Sequence, residues 1–146
     1  MRRKEQRSNL SITDSTERRF NLPKSHRLSG KKNFEELFNS SSFFATSKIT
    51  LRFVIHSEAS RKFLAGFIAP KRIGNAVERV RVKRLLREAY RLNQHLITDL
   101  SPSCTFAVHY AFVARHSDID FKAAQKDVSY LLRKLREHVI SKTSAQ

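Results

Sequence analysis

The densest chemistry in the sequence lies between residues 71 and 91, where Lys71, Arg72, Arg79, Arg81, Lys83, Arg84, Arg87 and Arg91 face only Glu78 and Glu88 as counter-charges. Ammonium and guanidinium groups donate hydrogen bonds and accept none, so what they offer is the binding of a polyanion. At about 100° per residue, Val82, Leu85, Leu86, Ala89 and Leu92 gather on one face of a helix. Arg79, Lys83, Arg84, Arg87 and Arg91 gather on the opposite face, with Arg81 near its edge. A solvated helix face is the ordinary explanation of a charge run, but such faces mix signs through Glu to Lys pairs four apart. This one scarcely mixes, and cations crowded on one face repel each other until an anion arrives.

Such a helix needs elements to hold it. Gly74 and Asn75 punctuate the chain, and Asn75 with Glu78 three residues on has the form of a reciprocal cap, so a long helix is expected from there to about residue 92. Upstream, Phe34, Leu37 and Phe38 sit at helical spacing, with Asn33 and Glu36 as the expected capping box of a short first helix. Ile49, Leu51, Phe53 and Ile55 alternate with Thr50, Arg52, Val54 and His56, the period of a strand with one apolar face. Residues 63–69 read as a more buried strand stopped by Pro70, residues 42–46 as a further strand, and residues 105–114 as the last. Asp120 is placed to cap a C-terminal helix whose stripe is Phe121, Ala124, Val128, Leu131, Leu132, Leu135 and Val139. The expected fold is an α+β or α/β two-layer sandwich, a small mixed sheet of about four strands with three helices.

The whole chain agrees with this reading. It has 146 residues with 29 Lys and Arg against 13 Asp and Glu, a net charge of +16 and a pI near 10.8. One folded domain is expected over residues 20–140, preceded by a basic flexible tail over 1–19 and followed by a short tail over 141–146. Cys104 is the lone cysteine, which excludes a disulfide framework and is expected to be a small buried hydrophobe. No run approaches the roughly 20 apolar residues of a membrane span, and Glu5 to Asn9 are polar where a signal peptide would be apolar, so a cytoplasmic protein is expected.

The segment Lys71-Arg72-Ile73-Gly74-Asn75-Ala76-Val77, leading into Arg79, Arg81, Lys83, Arg84 and Arg87, strongly resembles the signature of the bacterial ribonuclease P protein subunit. There a Lys-Lys-x-Gly-Asn-Ala-Val loop precedes a helix bearing Arg-Asn-Arg, then Lys-Arg and a further Arg. Likeness extends to Arg27-Leu28, Phe34-Glu35-Glu36-Leu37-Phe38, Ala114-Arg115 and the C-terminal helix. The resemblance implies a left-handed crossover through the basic helix and a protein cofactor of an RNA enzyme that removes the 5′ leader of precursor tRNA. It implies contacts to the catalytic RNA from Lys71, Arg72, Arg79, Arg81, Lys83, Arg84, Arg87 and Arg91, and a leader cleft holding Phe34, Phe38, Arg52 and Val80. It assigns magnesium to the holoenzyme, bound mainly by RNA, with none held by the protein and no obligate protein partner. Two departures stand out. Val80 occupies the place of the motif's central Asn on the cationic face, and Arg52 stands where many relatives offer a Tyr to the leader.

Other residues have plainer explanations. An aromatic pair one turn apart, as at Phe34 and Phe38, is ordinarily core. Tyr90 has two readings, a base-stacking ring or a cover for the sheet edge. His26, His56, His95, His109, His116 and His138 show no metal spacing. Gly30, Gly66 and Gly74 are isolated, so no phosphate-binding loop is present, and no nucleophile, base and orienting acid assemble. A ribosomal or other structural RNA-binding protein is the alternative function, distinguished by the order of the 71–91 motif. A stand-alone nuclease is a third reading, decided by testing RNA-free protein with magnesium, and a helix-turn-helix DNA binder fits less well, since the basic helix is flanked by strands rather than by a short turn to another helix.

Overall fold

Alternation of apolar and polar residues builds a four-stranded sheet from β1 (Phe43–Ala45), β2 (Ile49–His56), β3 (Phe63–Ile68) and β4 (Ala107–Ala114), in the order β1-β2-β4-β3. The computed structural model describes residues 22–39, 42–56, 63–100 and 106–145; the basic tail over 1–19 and Cys104 lie outside the described residues. The strand β2 runs antiparallel to β1 and β4, whereas β3 runs parallel to β4. Parallel neighbours cannot be joined by a hairpin. The chain between them passes through α2 (Ala76–Asn93) and a one-turn α3 (His95–Thr98), and this crossover is what lays the basic helix on the sheet.

Period two sorts the side chains into two apolar groups. Ile49, Leu51 and Phe53 of β2, with Tyr110 and Phe112 of β4, join α2 and α4 (Phe121–Ala145) in the main core, where Val82, Leu86, Leu131, Leu132 and Leu135 are fully buried. On the other face, Val54, Leu64, Ile68 and Ala111 meet Leu37 and Phe34 of α1 (Lys31–Asn39), with Leu28 beside them. Gly66 makes that second contact possible. A Cβ there would lie 3.1 Å from a Phe34 ring carbon, so the bare backbone lets the ring lie on the sheet.

The expected cap of α2 is present: the Asn75 side chain accepts from the Glu78 amide at 2.9 Å and Glu78 Oε1 accepts from the Asn75 amide at 3.1 Å. Asp120 likewise accepts from the Ala123 amide at 2.7 Å, at the start of α4. The first helix differs from expectation. It begins at Lys31, directly after Gly30 turns the chain with φ 93°, so Asn33 is inside the helix and its amide donates back to the Ser29 carbonyl at 2.8 Å. The three expected helices are joined by the short α3, and α4 continues to Ala145, past the boundary drawn at 140.

Candidate nucleic-acid interface

The helix α2 is rotated slightly from the expected wheel. Its buried residues are Val82, Leu86, Ala89 and Tyr90, while Leu85 and Leu92 are only partly buried. Tyr90 therefore faces the core. Its hydroxyl meets that of Tyr110 at 2.5 Å and its ring contacts Phe67 and Phe112, which overturns base stacking as a role. Burial pushes both hydroxyls far above the ordinary tyrosine range. Of the two readings of Tyr90, packing against the sheet is the one the structure shows, beside Leu86 on the helix.

The eight cations separate by what they touch. Arg81 donates to the carbonyls of Ile119 at 3.0 Å and Ser117 at 2.5 Å, tying α2 to the segment before α4. Arg91 forks onto Glu88, at 3.0 and 2.6 Å, and that hydrogen bond holds the Glu88 carboxyl below the usual carboxylate range. Arg87 lies half-buried with its guanidinium over the Phe67 ring, 5.8 Å from the centroid. Arg72 reaches the Arg115 carbonyl at 3.5 Å. Lys71, Arg79, Lys83 and Arg84 make no hydrogen bond or ion pair among the described residues, and all but Arg79 are exposed. Val80 is 48% exposed, among these cations rather than in the core.

The other candidate cleft lies across the sheet. Phe34 packs into the second core cluster, whereas Phe38, one turn on, is 46% exposed. The Arg52 guanidinium sits 5.8 Å from the Phe38 ring and 5.7 Å from that of Phe43, so three flat groups are layered at the surface. Phe43 escaped the sequence reading. It is placed by its direct pairing with Arg52 across β1 and β2, a register that strand patterning alone does not supply. Also missed was the approach of His56 and His109, ring centroids 4.6 Å apart, with Glu36 of α1 3.5 Å from His56 Nε2. The described residues hold no group of three or more His, Cys, Asp or Glu arranged for a metal ion.

The profile of the family described as Ribonuclease P matches residues 22–136. The chain belongs to the ribonuclease P protein family. It is 31% identical over 125 residues to the ribonuclease P protein component of Porphyromonas gingivalis, covering 84% of this chain and 91% of that protein. It is 30% identical over 115 residues to the same component of Shouchella clausii, covering 79% and 89%. Among solved structures, the RNase P protein of Staphylococcus aureus superposes with a TM-score of 0.59 at 20% identity, over 80% of this chain and 93% of that one. That of Thermotoga maritima gives 0.59 at 19% identity, over 74% and 96%. At these identities the structural likeness speaks to the fold, an α+β sandwich with a four-stranded mixed sheet. No described helix is long and apolar enough to cross a membrane.

Proposed function

We infer that this chain is the protein cofactor of ribonuclease P, acting in the removal of 5′ leaders from precursor tRNA while the RNA subunit performs the hydrolysis. The observation that carries the RNA-facing role of α2 is its charge balance. Among the described residues, only Arg91 of the eight cations between 71 and 91 pairs with a carboxylate. Lys71, Arg79, Lys83 and Arg84 then remain for phosphates, whose counterion release drives binding. Arg72, Arg81, Arg87 and Arg91 add positive potential from positions fixed by protein partners.

Precursor tRNA is assigned to the opposite face of the sheet, where Phe38, Arg52 and Phe43 offer stacking surface and charge to a single-stranded leader. Phe34, packed over Gly66, anchors α1 to the sheet. Magnesium belongs to the RNA in this reading, and a cytoplasmic site of action goes with it. The test is reconstitution with the organism's own ribonuclease P RNA at limiting magnesium. Stimulation of leader cleavage by the protein is expected, with no cleavage by the protein alone. Binding to RNA without any stimulation would favour the structural RNA-binding alternative.

A further inference from the structure

The helix α2 carries, beside its cations, an apolar groove that charge alone does not explain. Val77, Val80, Leu85 and Phe121 line a depression of about 720 Å³ between α2 and the start of α4. Val77 is 79% exposed and Phe121 37%, although every other member of the α4 stripe, from Ala124 to Val139, is buried. Three of the large exposed hydrophobics thus meet in one place, which marks an interaction surface rather than scattered surface residues. The volume falls within the roughly 300–1,000 Å³ of sites that take one small ligand group.

The rim identifies the chemistry of the occupant. Arg81 is held at the edge by two backbone carbonyls, which leave its full positive charge in place, and Arg84 has no partner among the described residues. Glu88, also on the rim, is neutralised by Arg91. An apolar floor under a cationic rim fits a flat apolar body carrying phosphates on its flanks. We propose that this groove takes an unstacked nucleobase of the ribonuclease P RNA, its ring on Val77, Val80 and Phe121 and a flanking phosphate on Arg84, with Arg81 adding positive potential at the rim. The proposal rests on α2 facing the RNA, and assigns a base contact where that reading required only phosphate contacts.

The test is Val77→Ser/Val80→Ser in the full-length protein, titrated against the organism's ribonuclease P RNA over a salt series, with Lys83→Ala/Arg84→Ala in parallel. Both valines are exposed, so a thermal melt should show the fold intact. Taking the apolar surface of two valines out of contact with a base is worth at least about fivefold in affinity. The valine variant is expected to bind at least about fivefold more weakly with an unchanged salt slope, since no phosphate contact is removed. Chemical probing of base edges should show one nucleotide protected by wild type and reactive again with the variant. Wild-type affinity in the folded valine variant would overturn the groove, as would a lowered salt slope or a loss of self-association in sedimentation. If the Lys83 and Arg84 variant alone is weakened, only the groove fails; if neither variant is weakened, the reading of α2 fails with it.

Discussion

At the scale of single residues, the structure divides arginines that look alike in sequence. Arg81 fills a motif position, yet its guanidinium is engaged by the Ser117 and Ile119 carbonyls. Arg81→Ala should therefore lower stability by about 1 to 2 kcal/mol, visible as a lower melting temperature, while Lys83→Ala should leave melting almost unchanged. Equal melting of the two variants would show that the Arg81 bonds contribute nothing. His109 supplies a second test. Burial first, and then its neighbour His56, hold its imidazole below the ordinary 6.5, against an opposing pull from Glu36. His138 is lowered too, by burial and by Lys142. A base with a lowered folded pKa binds fewer protons folded than unfolded, so the stability it allows above about pH 6.5 is lost on acidification. Melting temperature should fall between about pH 7.5 and pH 5.5, and fall less in His109→Gln. A flat or rising profile would contradict this.

At the scale of elements, α1 shows what one turn of helix separates. Phe34 lies against Gly66 and Ala111, and Phe38 beside Arg52 at the surface. Phe34→Ala should cost about 2 to 3 kcal/mol of stability. Phe38→Ala should leave melting nearly unchanged and weaken leader-bearing precursor by about 1 to 3 kcal/mol, with mature tRNA little affected. A melt run beside the two binding assays decides, and similar behaviour of both variants would undo the distinction. The sequence had shown an aromatic pair but not this division, because the 3.6-residue period places both rings on one side of the helix without saying how far the sheet extends beneath them. Caps and strands were more legible. Asn75 with Glu78, and Asp120, signal helix starts through local hydrogen bonds, and the alternation in β2 reports its own burial. Gly30 shows the opposite case, a left-handed turn that started α1 two residues ahead of the apparent Asn33 cap.

At the scale of the whole molecule, the parallel pairing of β3 with β4 forces a crossover, and the crossover turns one face of α2 outward beside Phe121 of α4. Neither the parallel pairing nor the exposure of Phe121 follows from periodicity, since both depend on contacts distant in sequence. The charge was legible throughout: +16 over 146 residues, with its most one-sided stretch on α2. In the function proposed, the unpartnered cations of α2 hold the phosphates of the ribonuclease P RNA. The most direct test of this is the salt dependence of RNA binding by folded Lys83→Ala/Arg84→Ala against wild type. The slope of log K against log salt should fall by about 0.7 to 0.9 for each lost contact, with the circular dichroism spectrum unchanged. An unaltered slope in the folded variant would contradict the account and place the RNA on another surface.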